Sequence, residues 1–94
     1  MSLSDHDARE AMGRACADWR ARVAMYARRE EELGIRLAAL AAMFTREEKR
    51  EERERIERRA LAARAELAVV SSQRALLVRC LDELDDCLRK EGSS

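Results

Sequence analysis

Proline is absent from this chain, glycine occurs only at positions 13, 34 and 92, and the aromatic residues are one Trp, one Tyr and one Phe. Nothing in the composition breaks a long helix. Ala, Arg, Leu and Glu dominate, and 40% of the residues are charged, a balance that describes solvated helices and leaves strands little to build from. With so few aromatics, the core has to come from Leu, Ala and Val. The 94 residues suffice for one small domain, which buries a modest share of its surface.

Net charge is also missing: 19 basic side chains cancel 19 acidic ones. A neutral chain lacks the long-range field that draws proteins to nucleic acid or anionic lipid, so no nucleic-acid partner is expected. No membrane span is expected either, because the most apolar run, Leu37 to Phe44, covers eight residues and a spanning helix needs about 20. Asp5, Asp7 and Glu10 near the N-terminus do not resemble a signal peptide. A soluble cytoplasmic protein is expected.

Cysteine is scarce as well. Cys16, Cys80 and Cys87 are odd in number and lack C-x-x-C spacing, which argues against a disulfide framework and a zinc site. Reduced thiols follow, although Cys80 and Cys87 stand two turns apart on one helix face, where a redox or cross-linking role is conceivable. The only histidine, His6, lies between Asp5 and Asp7 at a helix start, where acids complement the helix dipole. No Ser/His/Asp set and no glycine-rich phosphate loop exist. Carboxylates on exposed helix faces have nothing to shift their pKa for acid–base work, so neither an enzyme nor a cofactor or metal site is expected.

What the chain does have is two apolar heptad series around ten consecutive charged residues, Arg46 to Arg55. Met12, Cys16, Trp19, Val23, Tyr26, Glu30, Leu33, Leu37, Leu40 and Phe44 follow one another at spacings of four and three, as do Ile56, Ala60, Ala63, Leu67, Val70, Arg74, Leu77, Leu81, Leu84 and Leu88. Each series is the stripe by which one helix packs on another. The two are offset by two residues, about 200° on a straight helix, so a single rod would present them on nearly opposite faces. Folding back removes the mismatch.

Pairing residues whose numbers sum to about 100 sets Phe44 against Ile56, Leu33 against Leu67 and Met12 against Leu88, with apolar layers between. The fold predicted is all-α: a long antiparallel helical hairpin of coiled-coil type, with helices over about 5–46 and 54–90, a charged tip over about 47–53, and arms of roughly 60 Å. Ser4 with Asp7, and Thr45 with Glu48, match the capping-box pattern that opens a helix. Gly34 marks a soft point inside the first arm, not its end. In the charged run, Glu51 can pair with Arg55. Glu30 and Arg74 interrupt the apolar series and lie one turn apart across the fold-back, so they can meet diagonally and fix the register.

One seam hides only one stripe per helix. Leu61, Ala65, Ala68, Val69, Ser72, Ala75 and Leu76 form a second band on the second arm, and Ala17, Ala21, Ala24 and Met25 form one on the first. Such bands mark interaction sites: either the hairpin dimerises, completing a bundle, or a partner helix does so. Leu61, Val69 and Leu76 are the candidate partner-binding residues here. Asp82, Glu83, Asp85 and Asp86 oppose the dipole near the end of the second helix and are candidates for meeting a basic surface, with a plain solvated face as the alternative.

Met25 and Tyr26, with Leu33 and Leu37 at heptad distances, and the stretch from Ile56 through Val69, Val70 and Ser71 to Leu84, Leu88 and Glu91 resemble tubulin-binding cofactor A, a family of small helical chaperones. The resemblance covers residues 15–91 and implies binding of a folding intermediate of β-tubulin without nucleotide or metal. The expectation is therefore a non-enzymatic protein-binding module, a chaperone or cofactor with β-tubulin as its leading partner. The alternatives are a secretion-type co-chaperone hairpin and a structural coiled-coil subunit of a larger assembly.

Overall fold

Two helices account for nearly the whole chain in the computed structural model, which describes residues 5–92. Helix α1 runs over Asp5–Arg46 and helix α2 over Arg50–Gly92, and they pack side by side as an antiparallel hairpin. A helix of 42 residues is about 63 Å long at 1.5 Å per residue. That length matches the 67 Å long axis of the molecule. Gly34 lies within the unbroken α1, and Ser4 falls outside the described residues.

The heptad stripes form the seam. All ten positions on α1, and nine of the ten on α2, are buried or half-buried. Leu88 is the exception, 37% exposed at the open end of the hairpin. Leu33 is the most enclosed side chain, at 1% exposure, and it clusters with Ala63 and Val70 while Tyr26, Leu37 and Leu67 pack around them. Leu67, the partner expected from the register, sits among these neighbours.

The turn differs from the sequence expectation in three respects. It occupies only residues 47–49, because α2 already begins at Arg50 and takes up residues expected in the charged tip. The reason is local: the Lys49 carbonyl accepts the Arg53 N–H at 3.0 Å, and Glu51 and Glu52 supply negative charge to the first turn, where the helix dipole favours it. Thr45 does not cap a new helix. Its hydroxyl donates back to the carbonyls of Ala41 at 2.7 Å and Ala42 at 3.1 Å, a bond that competes with capping. Arg55 pairs with Glu52 at 3.1 Å, in place of the expected Glu51. Glu and Arg are strong helix formers, so the charged run stays helical once the chain has turned.

Candidate protein-binding surface

Ion pairs that cross between the helices give the hairpin its two sides. Glu30 and Arg74 are joined across the seam itself, with the Arg74 Nε–H donating to Glu30 Oε1. On one flank the Arg29 guanidinium donates to Glu66 at 2.9 Å and to Glu32 at 3.0 Å. On the other flank Arg20 approaches Asp85 at 3.6 Å. At 100° per residue, these anchors assign every outward residue to the Arg29 flank, the Arg20 flank or the back of its helix.

The Arg29 flank is charged along the seam and apolar beyond it. Hydrogen bonds to Glu66, then to Glu32, hold the Arg29 guanidinium above its ordinary pKa, and the bond from Arg29 holds the Glu66 carboxyl below the usual carboxylate range. Both side chains remain in contact with solvent. Farther out, Met25 on α1 and Leu76 on α2 lie nearly level, with Val69 two turns along, and these three are 56–59% exposed. The Arg20 flank is built differently. Gly13, Ala24, Ala27, Gly34 and Ala38 line its α1 side and Ala68 and Ala75 its α2 side, so it is low and smooth. Near the turn a hollow of about 390 Å³ opens between Leu37, Leu40, Phe44, Ile56 and Leu61.

Compared with known protein families, with curated proteins and with solved structures, the chain matches none.

The residues singled out in the sequence do not form one patch. Val69 and Leu76 lean toward the Arg29 flank, whereas Leu61, 62% exposed, stands at the rim of the hollow on the Arg20 flank. The four acids share the outward half of α2 but not one flank. Asp85 faces the Arg20 flank and is half-buried beside Arg20, Asp82 lies on the same side, Asp86 points to the back, and Glu83 leans toward the Arg29 flank. Four acids within five residues span about 160° of the helix circumference at 100° per step, so they occupy its outward half and extend over both flanks.

The exposed Ile35 and Met43, the hollow, and the stacking of Arg53 on Phe44 at 4.5 Å were not singled out in the sequence. Ile35 and Met43 lie outside both bands, so periodicity gave no signal for them. The hollow depends on how the two helices pack near the turn. Among the described residues no group of three or more His, Cys, Asp or Glu side chains is placed to hold a metal ion, and no helix is long and apolar enough to cross a membrane. Cys16 is buried in the seam, Cys80 half-buried and Cys87 exposed.

Proposed function

We propose that this chain is a non-enzymatic, cytoplasmic protein-binding module, a small chaperone or cofactor that holds a protein partner against the Arg29 flank. The observation that supports this reading is the trio Met25, Val69 and Leu76, each more than half exposed although the seam has already taken up both heptad stripes. Large apolar side chains grouped on one side of a monomer mark a contact surface more often than scattered ones do. The Arg29, Glu32 and Glu66 charges beside them would form the polar rim of such a contact, while the apolar trio supplies its centre.

β-Tubulin is the specific partner proposed, from the likeness of the Met25–Tyr26 stretch and the α2 apolar pattern to tubulin-binding cofactor A. The test is recovery of bound proteins from native cytosol by the wild-type chain and by the variant carrying Val69→Asp and Leu76→Asp, with identification by mass spectrometry. Tubulin retained by the wild type and lost by the variant supports both parts of the reading. Recovery of some other protein in the same pattern removes β-tubulin but keeps the flank; retention of the partner by the variant removes the flank.

A further inference from the structure

We infer that the Arg20 flank is a self-association surface, on which a second copy of this chain lays its own Arg20 flank to close a four-helix bundle. This flank lies opposite the proposed partner site, so the two readings stand or fall separately.

The chain exposes 7703 Å², whereas a compact monomer of this mass exposes roughly 5,500 Å². The excess of about 2,000 Å² is the scale that a stable interface removes, since specific interfaces bury about 1,600 Å² in total. A flank running the 67 Å length of the hairpin is long enough to supply it.

The relief of the surface selects which flank. Gly13 and Gly34 both lie on the Arg20 side, and a Cβ at either would meet nothing within 4 Å. Glycine inside a helix costs about 1 kcal/mol relative to alanine, and neither position is required by a contact within the chain. With Ala24, Ala27 and Ala38 between and beyond them, they let another helix approach closely. The hollow at the turn, with Leu61 at its rim, gives the same flank an apolar recess. The Arg29 flank has a recess too, but Arg36, Arg59 and Glu66 line it, so it is charged where the other is apolar.

Charge then identifies the occupant. From Gly13 to Thr45 this flank of α1 carries Arg20 and Glu31, and the level stretch of α2 carries Glu57 beside the hollow, Arg64, Asp82, and Asp85, which Arg20 approaches within the chain. Over the middle of the flank Arg20, Arg64, Glu31 and Asp82 put two bases beside two acids, a pattern that complements itself. The cross-hairpin ion pairs set residue n of α1 level with a residue near 100 − n of α2. With the two-fold axis along the hairpin, turn beside turn, Arg20 comes within about 3 Å in height of the partner's Asp82, and Glu31 within about 8 Å of the partner's Arg64. With the axis across the hairpin, turn beside open end, Arg64 meets the partner's Asp82 and Arg20 approaches the partner's Glu31. Each symmetric stacking pairs all four residues acid to base, as an isologous interface requires.

Sedimentation equilibrium of the full chain between about 1 and 100 µM, a range that brackets micromolar affinity, tests the proposal. The expected result is a species of twice the 10.8 kDa chain mass. Ala27→Arg, in the middle of the flank, should give a monomer with unchanged helical circular dichroism, while Val69→Asp on the opposite flank stays dimeric. Arg64→Glu alone should weaken association at least tenfold. Adding Glu31→Arg should restore it if the turns lie together, and adding Asp82→Arg should restore it if turn meets open end. A monomer at every concentration, a dimer that survives Ala27→Arg, or a failure of both reversals to restore association would overturn the inference.

Discussion

Arg74 on α2 reaches diagonally across the seam to Glu30 on α1, the one charged pair set inside an otherwise apolar interface. The Glu30 side chain is 22% exposed and that of Arg74 39%, so the pair is only partly desolvated. An ion pair in that position contributes little net stability against an apolar alternative, but removal of one member strands the other. Arg74→Ala should cost about 1–3 kcal/mol in urea unfolding, the range for leaving a polar group without its hydrogen-bond partner. Glu30→Leu combined with Arg74→Leu should match or exceed wild-type stability. A double variant less stable than Arg74→Ala would show that the pair is a true source of stability and not a register device.

Leu33 carries the centre of the seam. Leu33→Ala should destabilise the hairpin by about 2–5 kcal/mol, the range for emptying a closed core site. Ile35 is 65% exposed, and Ile35→Ala should change stability by less than about 0.5 kcal/mol. Equal losses at the two sites in thermal unfolding would contradict the seam described above.

The Arg29–Glu66 bond predicts a pH dependence. Because the folded chain holds the Glu66 pKa below its unfolded value, the folded state binds fewer protons there. The associated stability is present above the usual carboxylate range, about pH 4.3, and fades as pH falls through that value toward the lower folded pKa. Glu66→Gln should flatten this acid-side slope and leave the curve near pH 7 almost unchanged apart from a small constant offset. Because the pair is solvated, 1 M salt should shrink the same slope in the wild type. An unaltered slope in Glu66→Gln would remove this bond as its source.

At the turn, Arg53 covers the Phe44 ring and its N–H donates to the Lys49 carbonyl just before α2. Arg53→Ala should cost about 0.5–1 kcal/mol, the scale of a cation–π contact at an exposed site, and should speed amide exchange in the first turn of α2 before any other segment. Exchange that accelerates uniformly along the chain would place the contact elsewhere in the folding balance.

Gly34→Ala, measured at concentrations where the chain is monomeric, should raise stability by about 1 kcal/mol through helix propensity, since the added methyl meets no neighbour. A loss under those conditions would mean that the chain itself requires the open space.

The sequence by itself determined the two helices, the seam and the Glu30–Arg74 crossing. Each is a consequence of 3.6-residue periodicity: once Leu33, Leu40, Ile56, Ala63 and Val70 must leave water, two stripes out of phase by about 200° can be buried together only by folding back. The tertiary structure decided what periodicity averages over. That the turn needs three residues and not seven follows from one carbonyl, Lys49 to Arg53, and from a Thr45 hydroxyl that bonds backward. Which outward residues share a side follows from the packing of α1 on α2, since a helix read alone has a stripe but no left or right. Arg29 on Glu66, and Arg20 on Asp85, separated Leu61 from Val69 and Leu76 and put Glu83 on the other flank from Asp82 and Asp85, because relative rotation of two helices is a property of their contact and not of either sequence.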